Sequence, residues 1–261
     1  MGIKPLKKFG QNYLVDKNTI LKMIDVLDLQ REDQVIEIGP GRGSITDELT
    51  KQLDKLFAVE IDTRVIDELN SKYKNLTLLN TDFTKTKLHE LDKSLTFPAK
   101  IIGNIPFNLT GTILFKLLEE KDLISGTVLI MPFDIAKRMT AKKRTKEYGI
   151  LTILFGYFST TKIVYKVSRN VFVPKPNVES AIVHIKFDKT EDDEVKKNIF
   201  IKVVKASFGN RRKTLKNSLG NSIFRDCDFS NLGISLQKRA EELEVEDFLE
   251  LTKYIQKYNA S

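Results

Sequence analysis

The tightest constraint on the fold of this chain is the passage from Val35-Ile36-Glu37-Ile38 into Gly39-Pro40-Gly41-Arg42-Gly43. A short run dominated by β-branched residues reads as a strand, and three glycines at alternate positions break it. Ile45, Leu49 and Leu53 then recur at helical spacing. A strand, a glycine turn and a helix in that order open an α/β unit, and the turn lets backbone come close to a ligand. The turn departs from the dinucleotide pattern Gly-x-Gly-x-x-Gly, because Ser44 stands at the last glycine position. Pro40 and the early third glycine point to a nucleotide-like ligand with no pyrophosphate to cradle. S-adenosylmethionine fits that description; a glycine turn with no ligand is the plain alternative.

The alternation continues down the chain. Leu56 to Asp62, Leu76 to Leu79, Lys100 to Ile102 and Thr127 to Met131 read as strands. Between them Val65 to Tyr73 and Thr112 to Glu120 read as helices. Asp134 to Lys143 and Tyr148 to Phe158 also look helical, and Lys162 to Val167 and Ala181 to Phe187 are later strands. Asp16 is placed to cap a helix running to about Leu27. The expected fold is therefore a Rossmann-like α/β domain, a mainly parallel doubly wound sheet with an antiparallel edge, over residues 1–187. Residues 188–261 carry only helical patterns and read as a small all-α domain.

Open α/β sheets bind ligands at the carboxyl ends of their strands, so the residues there carry the functional reading. Glu60 ends the second strand, where an acid can take both ribose hydroxyls. Asp82 ends the third, where it can accept from an adenine amino group. Gly103-Asn104-Ile105-Pro106-Phe107 ends the fourth. There a side-chain amide, the free Pro106 carbonyl and an aromatic ring can hold a planar ring bearing an amino group. Singly, each is open to a plainer explanation: a surface acid at a strand end, or a turn with a core Phe. Gly39, Glu60 and Asp82 on successive strand ends are hard to credit to chance.

Charge adds a partner. The chain has 43 Lys and Arg against 35 Asp and Glu, a net +8. From Lys196 to Lys216 it carries eight basic residues and no acid, while Glu191 to Glu194 and Glu241 to Glu250 hold the acidic counterweight. Such segregation points to a polyanion. A single cysteine excludes an internal disulfide, and with His89 and His184 alone a Cys/His metal site is not expected. No hydrophobic signal region follows Met1, and the longest apolar run, Tyr148 to Phe158, is shorter than the ~20 residues that span a bilayer. A cytoplasmic protein without membrane contact is expected.

Six stretches, in order, resemble the rRNA adenine N6,N6-dimethyltransferase family, most closely its small-subunit type. They are Phe9 to Leu14, Glu37 to Gly41, Val59 to Asp62, Gly103 to Phe107, Phe172 to Ser180 and Phe208 to Leu219. The resemblance implies a class I methyltransferase fold and S-adenosylmethionine contacts at Asn12, Leu14, Gly39, Glu60, Asp82 and Asn104, beside the Gly41 backbone. It also implies a monomer acting on two adjacent adenosines near the 3′ end of small-subunit rRNA, in the 30S particle or its precursor. Two positions depart from the family pattern: Phe107 where Tyr is usual, and Pro132-Phe133 where a Gln/Lys-Glu pair is frequent.

On this reading Asn104 and the Pro106 carbonyl accept from the adenine amino group, Phe107 clamps the base, and Phe172 is a second wall. Arg211, Arg212, Lys213 and Lys216 are the expected phosphate contacts, although helical spacing cannot put all four on one face. No metal is implied. The rivals are a large-subunit (23S) rRNA dimethylase of the macrolide-resistance type, which shares the pocket, and an assembly factor that chiefly binds RNA. A DNA amino-methyltransferase fits less well, because those usually carry Pro-Pro after the Asn or Asp.

Overall fold

The computed structural model describes residues 12–258; Lys4 to Leu14 read in the sequence as a basic arm, and its part up to Gln11 lies outside the described residues. The described chain forms two compact units. One takes in residues up to Ala136 together with Thr161–Phe187; the other combines Lys137–Thr160 with the chain from Asp188 onward. One division between the units falls at 187/188, but residues 137–160, expected in the first domain, pack with the second. Their reason is apolar: Phe155, Tyr157 and Phe158 need the aromatic partners described below.

The first unit is built on a seven-stranded sheet. Its strands are β2 (Val35–Ile38), β3 (Leu56–Glu60), β4 (Leu76–Asn80), β5 (Ala99–Asn104), β6 (Ile124–Pro132), β7 (Thr160–Val167) and β9 (Ser180–Lys186). They lie in the order β4-β3-β2-β5-β6-β9-β7. The neighbours from β4 through β6 run parallel, and β9 lies antiparallel to β6, the antiparallel edge that the sequence led one to expect. β1 (Tyr13–Leu14) and β8 (Phe172–Val173) form a separate antiparallel pair. The central strands are apolar on both faces, as a parallel sheet covered by helices requires.

Helices α1 (Lys17–Leu27), α3 (Ile66–Lys72) and α4 (Thr110–Glu119) follow their predicted spans within a few residues. In α1 the Asp16 carboxylate accepts from the Thr19 amide at 2.7 Å, and Ile20, Met23, Ile24 and Leu27 are buried. Asp28, left-handed at φ 48°, ends it. The expected helix after Ser44 is shorter. α2 covers only Thr46–Leu49, because Glu48 and Gln52 donate three residues back, to Ile45 and Leu49, instead of four. Ile45, Leu49 and Leu53 are nevertheless all buried.

The second unit is helical: α6 (Ile150–Phe158), α7 (Lys197–Ser207), α8 (Leu215–Gly220) and α9 (Val245–Tyr258), while α5 (Phe133–Met139) begins in the first unit and ends in the second. Its core is aromatic. Tyr157, Phe158 and Phe200 meet with centroids 4.7–5.8 Å apart, and Phe208 stacks on Phe248 at 5.8 Å. The Tyr148 hydroxyl donates to the Leu243 carbonyl at 2.6 Å.

Candidate active site

The strand order reverses between β2 and β5: from β2 the chain runs outward through β3 and β4, then returns to β5 on the other side. That switch point leaves a crevice at the carboxyl ends of the strands. The register sets Ile38 beside Gly103, so the glycine turn and Asn104 leave the sheet as neighbours. Only glycine fits at 103, since a Cβ there would stand 2.7 Å from the Ile38 carbonyl oxygen. The crevice is a cleft of roughly 270 Å³ whose lining includes Gly39, Gly41, Glu60, Asp82 and Asn104. Four strand ends that the sequence singled out are therefore brought to one place.

The glycine turn is wound through left-handed backbone, with Gly39, Gly41 and Gly43 at φ 66°, 55° and 79°. Gly41 lies under Tyr13, and a Cβ there would come 2.8 Å from that ring. The Arg42 guanidinium covers the same ring at 4.7 Å. Glu60 ties the turn to β3: one carboxylate oxygen accepts from the Gly41 amide at 3.0 Å, the other from the Asp62 amide at 2.8 Å. Burial raises the Glu60 pKa, and these amide donors oppose the rise. The Ile61 amide acts in the same direction.

Deeper, Glu37 is 1% exposed in the middle of β2, and its carboxyl is bonded to the Thr46 hydroxyl at 2.7 Å. Burial pushes its pKa up to about 8, with the Thr46 hydroxyl pulling down and the nearby Glu60 charge adding to the rise. Asp82 behaves oppositely. Although burial pulls upward, the Thr84 hydroxyl and amide, at 2.6 and 2.9 Å, and Lys85 hold its carboxyl below the usual range.

Asn104 carries the most informative contact. Its Nδ2 donates to the Asn12 carbonyl at 2.7 Å, while its Oδ1 is buried with no hydrogen-bond partner. A buried acceptor without a donor costs about 1–3 kcal/mol, so this atom is held ready for a donor that enters the cleft. Pro106 continues from it; its carbonyl accepts the Leu109 amide at 3.0 Å and lies 3.4 Å from the Thr110 hydroxyl, whose shorter bond, at 3.0 Å, is to the Phe107 carbonyl. Phe107, half-buried, lines the cleft.

Two expected site residues are placed otherwise. Phe172 is 2% exposed and does not line the cleft. The pairing of β8 with β1 turns it into the core with Leu14, where its ring meets Phe107 edge-on at 6.4 Å and 78°. It stands behind Phe107 instead of forming a second wall. Leu14 is likewise a core residue, and its neighbours Asn12 and Tyr13 line the cleft. Tyr13, Ile61, Phe83 and Ile113 are lining residues that sequence reasoning missed. Ile61 and Phe83 had a signal, since each directly follows an acid at a strand end, and Ile61 is 47% exposed despite being apolar.

In the second unit Arg212, Lys213 and Lys216 are exposed and, among the described residues, have no acidic partner. Arg211 is drawn to Glu241 at 3.6 Å and donates to the Thr145 carbonyl at 3.2 Å. Among the described residues no cluster of His, Cys, Asp and Glu is gathered that could hold a metal, and no helix is long and apolar enough to cross a membrane.

A mainly parallel sheet with a glycine turn, an acid at the next strand end and an amide acceptor beside them defines an α/β methyltransferase. The chain belongs to the ribosomal RNA adenine dimethylase family, whose model matches residues 3–257. It is 38% identical to the ribosomal RNA small subunit methyltransferase A of Bacillus mycoides, over 96% of this chain and 91% of that protein. The protein of the same name from Bacillus cereus matches to the same extent. Two solved structures share the fold at 24% identity. A dimethyladenosine transferase from Plasmodium falciparum has a TM-score of 0.76 over 94% of this chain and 98% of its own. The 23S rRNA methyltransferase ErmE has 0.66 over 94% and 100%.

Proposed function

We propose that this protein dimethylates N6 of two adjacent adenosines near the 3′ end of small-subunit rRNA, in the cytoplasm, on the 30S particle or its precursor, with S-adenosylmethionine as donor. The observation that carries the reading is the buried, unpartnered Oδ1 of Asn104. The name of the relatives at 38% identity supports the small subunit over the large.

The donor set suits the cofactor. Gly39 and Gly41 present backbone, Glu60 presents a carboxylate toward ribose hydroxyls, Asp82 has a carboxylate oxygen for the adenine amine, and Asn12 lines the cleft beside Asn104. When bound, S-adenosylmethionine brings a sulfonium methyl that needs no further activation. The chain's task is then position and electrostatics. An adenine N6 is a poor nucleophile, because its lone pair is delocalised into the ring. Asn104 Oδ1 and the Pro106 carbonyl, by accepting its two hydrogens, favour a pyramidal nitrogen with the lone pair free. Phe107, braced by Phe172, stacks on the base. The N6 proton becomes acidic as the new C–N bond forms and leaves to water. The target bases must be unstacked to enter the cleft, and Arg212, Lys213 and Lys216 bind the surrounding phosphates.

Tritiated methyl transfer to unmethylated 30S particles and to naked 23S rRNA, with mapping of the modified nucleosides, tests this. Dimethyladenosine in the 30S particles alone is expected; label in 23S rRNA alone would overturn the substrate.

A further inference from the structure

Lys116, in the last turn of α4, and Glu120, the residue that caps that helix, form a largely buried ion pair at 2.6 Å, with Lys116 only 8% exposed. Neither lines the cleft. Burying an ammonium group is expensive unless its donors are satisfied, so its contacts indicate what keeps it there. Lys116 Nζ also donates to the Thr86 carbonyl at 2.6 Å and stands 5.4 Å over the Phe83 ring. Glu120 uses its other oxygen to accept the Leu88 amide at 3.0 Å. All three contacts fall on the segment after β4, whose Thr81, Asp82, Phe83 and Thr84 form one wall of the cleft.

Within that segment the Thr86 and Thr81 hydroxyls are bonded at 2.7 Å, and the Lys85 and Thr86 amides donate to the Asp82 carbonyl. These are local turn bonds; beyond them the segment is held by the buried side chains of Phe83 and Leu88 and by the ion pair. The ion pair ties the far end of the segment to the last turn and cap of α4, Thr86 to Lys116 and Leu88 to Glu120, while Lys116 also stands over Phe83. The same helix carries Ile113 into the cleft and begins three residues after Phe107. One helix thus sets the distance between the base clamp and the opposite wall.

We propose that the Lys116–Glu120 pair is a positioning device that holds the Asp82–Phe83 wall for the adenine end of the cofactor, and so sets cofactor affinity. This rests on the reading that the cleft takes S-adenosylmethionine with its adenine against that wall. Neither side chain touches the ligand; both act through the loop.

The test is calorimetric binding of S-adenosylhomocysteine to the full-length protein. The double change Lys116→Leu with Glu120→Leu replaces the pair by apolar groups, a swap that is often neutral for stability while it removes both ties to the loop. Affinity is expected to fall about tenfold or more, KM for the donor to rise in parallel, and kcat at saturation to stay within roughly threefold. Amide exchange over residues 81–88 should accelerate. Glu120→Gln, a near-isosteric change that survives if the double variant does not fold, should weaken binding about threefold through loss of the charge. Asp82→Ala is the reference for the wall. Unchanged affinity and exchange in the double variant, or unchanged affinity in Glu120→Gln, with weakened binding in Asp82→Ala, would overturn the brace and leave the cleft reading standing. A wild-type protein that does not bind S-adenosylhomocysteine would overturn both.

Discussion

The side-chain amide of Asn104 donates to the main-chain carbonyl of Asn12 across 2.7 Å, a bond between residues 92 positions apart. It decides which end of the amide faces where. With Nδ2 engaged, Oδ1 is left as a buried acceptor without a donor. The residue is thereby fixed in one orientation, at a point where β5 ends beside the glycine turn.

Asn104→Ala removes that acceptor while the rest of the donor-binding lining stays in place. Methyl transfer should fall by at least about 10²–10³-fold, the scale for losing one preorganised hydrogen-bonding group. S-adenosylhomocysteine binding should remain measurable by calorimetry. Near-wild-type transfer in this variant would remove Asn104 from the mechanism.

Gly41→Ala places a Cβ on left-handed backbone and 2.8 Å from the Tyr13 ring. Strain at φ 55° alone should lower stability by roughly 1–2 kcal/mol, and the clash adds to it. Displacement of Tyr13 from the cleft should weaken donor binding as well. A thermal melt with and without S-adenosylhomocysteine reports both effects.

Glu37 supplies a pH signature. Its pKa, ordinarily 4.5, is raised to about 8 in the fold, so the folded chain keeps a proton there that the unfolded chain has lost. Stability from this group is fully present below about pH 4.5 and is lost as pH rises through about 8. Glu37→Gln mimics the protonated form and should remove that loss. Urea unfolding of both proteins from pH 5 to pH 9 should show the wild type falling relative to the variant; parallel curves would contradict a protonated Glu37.

The basic run should behave unevenly. Arg212→Ala with Lys213→Ala removes two exposed cations, and the slope of log affinity for RNA against log salt should drop by about one for each phosphate no longer neutralised. Arg211→Ala should change it less, because that guanidinium is already engaged by Glu241 and Thr145. Donor affinity should be the same in all three proteins. Equal slopes across a salt titration would place the RNA elsewhere.

Much of the fold was legible because its signals are local. The apolar run of β2, the glycines after it and the Asp16 cap each act within a few residues. The exceptions follow from packing over distance. The α2 region carried a helical pattern but holds a single α turn, since three-residue bonds are interleaved with four-residue ones there. Residues 137–160 looked like a continuation of the α/β alternation, yet their aromatic rings pair with Phe200 and Phe208, far along the chain.

The candidate site divides in the same way. By itself the sequence determined that Gly39, Glu60, Asp82 and Asn104 end successive strands, because a strand and the residue that stops it are neighbours in the chain. Only the tertiary structure decided that β5 lies beside β2, that Asn12 orients Asn104, that Phe172 backs Phe107 from the core, and that Lys116 and Glu120 hold the Asp82 loop. Those contacts join residues tens of positions apart. They come into being when sheet order and register bring the strand ends together, which short-range pattern does not encode.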